Sequence, residues 1–357
     1  MTERLRHIDL MRGLAILFMV EAHAAATFRP DGVEDSSVLA LVVASIAGLA
    51  APLFVTISGW GLHRSAKRRT GVDFAGGGDF AGGDFAGWMR WLGPRVAVLT
   101  ACQLLVNLVM SHIFSWSAPG VLTLLAIVAL LSPLLARLST PVRSALFVLL
   151  VAIPSLFPDL TGVALTWDDR VSVAGVGVWL ARLLFDGTYP LLPWLSFALL
   201  GGLLADFDEI SRKRVLSLGV LLSIGSAIYS GISGTTWALT SGDAMLTFFP
   251  ASSTFLVVAT TTVLAIHELT LRATLPKEGL VKWTSNLGRL SLSVYVLHFV
   301  PLAIYYRMVE TPPSLLVGMA LTLAYVLIWI PIGTYWFERA GGYSLEALLQ
   351  RLTSQTP

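Results

Sequence analysis

Residues 6–23 read R-H-I-D-L-M-R-G-L-A-I-L-F-M-V-E-A-H. The run is apolar enough to lie in a bilayer as a helix, yet it opens with Asp9 and Arg12 and carries Glu21 and His23 within its hydrophobic length. Ionisable groups at membrane depth are costly, and a chain that keeps them there marks a candidate site. Arg12 and His23 are eleven positions apart, about 16 Å along a helix axis, which puts the imidazole just past the middle of a ~30 Å hydrocarbon core. Eleven steps of about 100° make three turns plus about 20°, so Arg12 and His23 share a face. Glu21 points elsewhere.

Working outward, composition sets the class. With 357 residues, 55% hydrophobic and only 13% charged, and a mean hydropathy of +0.75, the chain departs from soluble domains, in which charged residues approach about a quarter. The expectation is an all-α, polytopic integral membrane protein whose first partner is the lipid bilayer. A net charge of +2 says little, because in such proteins the placement of charge matters more than its sum. The single cysteine, Cys102, lies in an apolar run, which excludes a disulfide framework and a cysteine-based metal site. The first apolar segment follows a basic start without a small-residue cleavage site, and it reads as a retained helix.

The apolar runs predict about ten spans, near 13–28, 38–62, 95–113, 120–138, 144–157, 190–205, 215–232, 253–269, 290–308 and 314–337. With the N-terminus cytoplasmic, the outer segments hold only Arg29, Arg170, Arg182 and Arg307 of the 24 Lys and Arg, leaving 20 inside. An even number of spans then makes the C-terminus cytoplasmic too. The whole chain, 1–357, reads as one transmembrane domain.

Two connections stand out within it. The cytoplasmic loop at 63–90 contains D-F-A-G-G-G-D-F-A-G-G-D-F-A-G from Asp73 to Gly87, three near-copies of a Gly-rich unit, expected to be a flexible insert. It lacks the Lys-Ser/Thr of a phosphate loop. The stretch after it, W-M-R-W-L-G-P-R over 88–95, brings Arg90 and Arg95 to the inner interface, either as an ordinary aromatic and basic anchor or as an anion-binding lip. An outward-facing segment at 159–190 mixes Asp168, Asp169, Arg170 and Asp186 with Trp167 and Trp179. It leads into Y-P-L-L-P-W-L-S-F-A-L-L-G-G-L-L, where irregular backbone is tolerated only if buried in protein or lining a wet cavity. Gly201 and Gly202 there suit close helix packing.

Near the C-terminus, residues 288–299 read G-R-L-S-L-S-V-Y-V-L-H-F. His298 lies nine residues past Arg289, about 13 Å up a helix running in the same direction as the first, so His23 and His298 are expected at similar depth. Ser291, Tyr295, His298 and Tyr305 fall on one stripe. A histidine there is either part of the chemistry or a structural group bonded across helices. His7, His63, His267 and His112 are expected at helix ends as solvated imidazoles. No spacing suggests a metal site, no serine sits in a nucleophile elbow, and the inner basic loops need no nucleic acid to account for them.

Taken together, the residues 6–23, the run A-P-L-F-V-T-I-S-G-W-G-L, the run Y-P-L-L-P-W-L-S-F-A-L-L-G-G and the tail G-R-L-S-L-S-V-Y-V-L-H with W-F-E-R-A-G-G-Y-S-L-E-A-L-L-Q-R-L-T resemble the transmembrane acyltransferase group. That group includes the heparan-alpha-glucosaminide N-acetyltransferase catalytic domain with its bacterial relatives, and the acyltransferase-3 family. The Arg-x10-His spacing from Arg12 to His23 is the one the acyltransferase-3 pattern requires. The close Arg-x-Arg pair usual on that family's inner side is absent, since Arg90 and Arg95 stand further apart. The resemblance implies a protein of the inner, cytoplasmic membrane that takes an acyl group, acetyl first among them, from cytoplasmic acyl-CoA without a metal. It passes the group to a hydroxyl or amine of an acceptor on the outer side, with a sugar or glycoconjugate the expected class.

On that reading His23 is the catalytic base, and an acyl-histidine intermediate is the rival chemistry. Arg12, Arg90 and Arg95 bind the donor, with Asp9, Tyr295 and His298 in support. A homodimer is compatible with it. The competing class is a transporter or flippase with an intramembrane His and Glu proton relay, although no matching helix interruption occurs in the other half of the chain. A scaffold without chemistry would leave His23 unexplained.

Overall fold

The computed structural model describes residues 5–34, 37–70, 85–272 and 278–354. In chain order the helices are α1 (Arg6–Thr27), α2 (Val38–Ala47), α3 (Ala50–Thr70), α4 (Phe85–Val109), α5 (Val121–Arg137), α6 (Thr140–Leu156), α7 (Trp167–Val171), α8 (Val176–Ala181), α9 (Leu191–Asp206), α10 (Glu209–Ser233), α11 (Ser253–Arg272), α12 (Leu280–Gly288), α13 (Ser291–Leu297), α14 (Phe299–Met308), α15 (Leu315–Ala340) and α16 (Leu345–Ser354). Two-residue strands, β1 (Ala238–Leu239) and β2 (Leu246–Thr247), pair in parallel between α10 and α11.

Among the described residues, six helical stretches are long and apolar enough to cross a membrane: Arg6–Thr27, Val38–Arg68, Trp88–Val109, Glu209–Ser233, Ser253–Arg272 and Leu315–Thr353. Two bent pairs raise the total to eight if each is one span. These are Val176–Asp186 with Leu191–Asp206, bent by 47°, and Leu280–Gly288 with Ser291–Met308, bent by 79°. By length and composition the described residues thus support six to eight spans, and the expected count of about ten goes beyond them. The apolar runs near 120–138 and 144–157 fold as helices of only 17 residues each, about 26 Å long and short of a ~30 Å core.

The helices assemble around α1, which packs against α12, α3 and α15. Close approach is built into the sequence at two crossings. A Cβ on Gly13 would lie 2.0 Å from the Thr284 carbonyl oxygen, and one on Gly288 would lie 2.1 Å from that of Asp9. At the second crossing, between α3 and α9, a Cβ on Gly201 would lie 2.1 Å from the Thr56 oxygen and one on Gly59 2.3 Å from that of Ala198. Small residues let helix backbones touch where lipid supplies no hydrophobic drive for association. Trp194 and Phe197 on α9 are fully buried, so α9 is a core helix. By contrast α10 exposes Leu218, Leu221, Leu222, Ile224, Ile228 and Ile232, an apolar face suited to acyl chains.

The two connections singled out from sequence are better bounded by the structure. Residues 63–70 complete α3 and 85–90 begin α4; the Gly-rich part, 71–84, lies outside the described residues. The segment 159–190 is built of short helical pieces held by Arg170, which is 1% exposed. Arg170 donates to the carbonyls of Asp186 at 2.8 Å, Thr161 at 3.4 Å and Gly162. Its first helix, α7, is closed by a reciprocal cap. Thr166 Oγ1 accepts the Asp169 N–H at 3.2 Å, while the Asp169 carboxylate accepts the Thr166 N–H at 3.0 Å and its hydroxyl at 2.6 Å.

Candidate functional site

The bend between α12 and α13 swings residues 291–308 alongside the second half of α1. His23 of α1 therefore meets His298, the residue joining α13 to α14: Nδ1 of His23 lies 2.8 Å from Nε2 of His298, with the rings stacked at 5.0 Å and 18°. His298 Nδ1 lies 3.1 Å from the Val294 carbonyl oxygen. A carbonyl only accepts, so His298 Nδ1 carries the proton and its Nε2 holds a lone pair. That lone pair accepts the Nδ1–H of His23, and His23 Nε2 is left unprotonated. With both rings neutral, the pair forms a directed chain ending in a base.

The surroundings fix this pair. His298 is wholly buried, and its carbonyl accepts the Tyr325 hydroxyl from α15 at 2.5 Å. The Phe299 ring is 4.5 Å from His23 and 4.1 Å from His298. Tyr295, 8% exposed, packs its ring 6.0 Å from that of His298. His23 is only partly buried and keeps surface free for a reactant. The shared depth expected of His23 and His298 is therefore present, while Arg289 lies in the bend, its guanidinium 4.0 Å over the Phe337 ring. Tyr305 is beyond the pair, with its ring 4.7 Å from Phe28.

Toward the start of α1 the site is cationic. Arg12 Nη1 is 3.6 Å from Asp9 Oδ1, and Asp9 is buried. Arg95 of α4 lies near enough to Arg12 for their charges to repel, and its Nε is buried with no hydrogen-bond partner among the described residues. Arg90 is exposed instead. The Pro94-containing helix carries Arg95 inward and leaves Arg90 at its edge. The site thus runs from a pair of guanidiniums to a pair of imidazoles, about 16 Å apart along α1.

The structure corrects the reading of two histidines as solvated. His63 is 5% and His267 4% exposed, because each is drawn into an ion cluster tying helix ends together. Asp206, the last residue of α9, receives His63 Nε2 at 3.1 Å, Lys67 Nζ at 2.5 Å and Arg143 Nη1 at 2.7 Å, joining α3, α6 and α9. Arg143 also donates to the Leu138 carbonyl at 2.7 Å. Glu268 of α11 receives Arg212 at 2.5 Å and Arg272 at 2.7 Å, beside His267, whose ring meets that of His7 edge-on at 5.6 Å. His112 is exposed as expected and stacks on Tyr306 at 3.9 Å. Asp206 and Glu268 are marked in the sequence only as acids toward the ends of apolar helices, which is a readable signal for a buried ion pair. Among the described residues no group of three or more His, Cys, Asp or Glu is arranged to hold a metal.

A predominantly helical, multi-pass membrane protein with a hydrogen-bonded histidine pair inside its helix bundle and arginines toward the start of α1 is the class these features define. The model of an acyltransferase domain matches residues 5–335, nearly the whole chain. The chain belongs to the acyltransferase-3 family and is a membrane acyltransferase. The match bears on the acyltransferase-3 half of the resemblance and leaves the heparan-type half without support. No curated protein matches the chain.

Proposed function

We propose that the protein moves an acyl group, acetyl first among them, from cytoplasmic acyl-CoA to a hydroxyl or amine of a sugar or glycoconjugate on the outer side of the inner membrane. The observation that carries this reading is the His23–His298 hydrogen bond, which leaves His23 Nε2 as a base within a helix bundle. In this topology both termini are cytoplasmic, and the two 17-residue helices and the two bent pairs bring the spans to about ten. The Arg12 end of α1 faces the cytoplasm.

Arg12 and Arg95 hold the CoA phosphates, since guanidiniums give forked, charge-assisted hydrogen bonds to phosphate. The pantetheine arm then spans the distance to His23. His23 Nε2 takes the proton of the acceptor as its oxygen or nitrogen attacks the thioester carbonyl. The tetrahedral intermediate collapses with loss of the CoA thiolate, which recovers that proton from His23. His298 keeps the attacking geometry by holding Nδ1 of His23, as an orienting partner does in any hydrogen-bonded base. Asp9 positions Arg12 through their ion pair.

The test needs no knowledge of the acceptor. A ligand that binds only the folded state raises its stability by mass action. Thermal unfolding of the purified protein is measured with acetyl-CoA and longer acyl-CoAs for wild type, Arg12→Ala and His23→Ala. Stabilisation that survives in His23→Ala and weakens in Arg12→Ala is the expected result. A well-folded wild type that no acyl-CoA stabilises would overturn the reading.

A further inference from the structure

α12 ends at Gly288 and the chain bends before restarting as α13 at Ser291. A helix that restarts inside the protein leaves its first N–H groups without intrahelical acceptors, and buried orphans of this kind are destabilising. The acceptor comes from the far end of the chain. Glu346 of α16 receives the N–H of Leu292 at 2.5 Å and of Ser293 at 3.1 Å on Oε1, and the Ser293 hydroxyl at 2.6 Å on Oε2. Ser293 Oγ in turn accepts the Leu345 N–H at 2.8 Å. Ser293 is 1% exposed. The two helices therefore fix each other's first turns.

What α13 carries makes this more than a brace. The residue after Ser293 is Val294, whose carbonyl takes the Nδ1–H of His298. The chain of bonds then runs from the Glu346 carboxylate to the start of α13, from Val294 to His298, and from His298 Nε2 to Nδ1 of His23. Tyr295, which packs beside His298, is on the same short helix. Glu346 lies outside residues 5–335, the part matched to the family.

We propose that Glu346 is a positioning residue for acyl transfer. Resting on the reading above, it sets where α13 begins, and so holds His298 in the tautomer and place that orient His23. Loss of the carboxylate frees three donors at once and lets α13 fray, which shifts the ring that His23 leans on. A displacement of about 1 Å at a reacting group costs up to about a hundredfold in rate.

The experiment compares wild type with Glu346→Ala, Glu346→Gln and Ser293→Ala, reading kcat and KM for acyl-CoA together with 15N spectra of histidine-labelled protein. Glu346→Ala is expected to lower kcat about tenfold or more, with KM for the donor within about threefold. The spectra should change from singly populated Nδ1–H rings at positions 23 and 298 to a mixture of tautomers. Glu346→Gln keeps an acceptor oxygen for the two N–H groups and should restore most of both signals. Should Glu346→Ala not fold, Ser293→Ala removes the two bonds of the hydroxyl, to Glu346 and from the Leu345 N–H, keeps the two backbone N–H bonds to the carboxylate, and is expected to show the same changes in smaller measure. Folded variants with wild-type kcat and unchanged histidine spectra would overturn the proposal. An inactive wild type would count against the acyl-CoA reading instead, and the spectra alone would then decide for or against Glu346.

Discussion

His23 Nδ1 and His298 Nε2 stand 2.8 Å apart although 275 positions separate them in the chain. Because His298 Nδ1 is committed to the Val294 carbonyl, the hydrogen bond between the rings has one direction. His23→Ala is therefore expected to lower kcat by about 10²–10⁴ through loss of the base. His298→Ala should be nearly as damaging, whereas His298→Gln, whose amide oxygen can accept from His23, should keep part of the rate. Steady-state transfer of a labelled acetyl group measures all three, and full activity in His298→Ala would remove the orienting role.

The arginines separate by position. Arg95 lies near enough to Arg12 for their charges to repel, and Arg90 is exposed. Arg12→Ala and Arg95→Ala are each expected to weaken donor binding about tenfold or more, the scale of one charge-assisted contact. Arg90→Ala should leave it within about twofold, since exposed charges contribute little. Binding of labelled acetyl-CoA to the detergent-solubilised protein checks the order, and an Arg90 effect equal to that of Arg95 would contradict it.

Asp206 holds His63, Lys67 and Arg143 together, and Arg143 is 1% exposed. Asp206→Asn leaves the buried Arg143 guanidinium without its counter-charge and is expected to cost about 3–5 kcal/mol. Replacing Arg143 and Asp206 together by Met and Leu should cost less, since the buried guanidinium goes with its counter-charge and Lys67, the most exposed of the partners, can turn to water. Thermal unfolding of the single and double variants reads the difference.

Gly288 touches the Asp9 carbonyl, and a Cβ there would sit 2.1 Å from that oxygen. Gly288→Ala must push α12 off α1 and is expected to abolish the folded yield or lower the melting temperature by several degrees, about 1 kcal/mol or more being usual for such overpacking. Gly93→Ala meets nothing within 4 Å among the described residues and serves as the control that should leave both unchanged. Size-exclusion profiles and melting curves test the pair.

The Thr166 hydroxyl and backbone N–H donate to the Asp169 carboxylate and hold its pKa below the usual value. A carboxyl lowered on folding adds stability above its unfolded pKa of about 3.9, and that contribution is lost as pH falls through the folded value. The cap on α7 should thus persist at neutral pH and open in acid. Protection of the amides over residues 166–172, taken relative to the unstructured chain at each pH from 6 downward, is expected to fall below about pH 4 in wild type. Thr166→Val, which has no hydroxyl to donate or accept, should exchange quickly throughout.

Much of this was written in the one-dimensional pattern. Apolar runs, the first of them opening after Asp9 and Arg12 and carrying Glu21 and His23, determined a helical membrane protein and marked Arg12 and His23, because hydropathy and the 3.6-residue period are local properties. The depth of His298 followed from the same count. Span number was less legible, since the 17-residue helices α5 and α6 are apolar but short, and a hydropathy run does not report a bend such as the one before α13.

Tertiary structure alone decided the partners. Nothing near His23 in sequence says that its Nδ1 bonds His298, nor that Glu346, after the last long helix, caps the helix leading to that ring. His63 and His267 looked solvated because sequence gives the type of a residue and not the neighbours that bury it. Hydrogen bonds and ion pairs between distant helices depend on packing, and packing was set here by where Gly13, Gly288, Gly59 and Gly201 let backbones meet. The sequence by itself determined which polar groups lie within the bundle; only the packed bundle decided which of them touch.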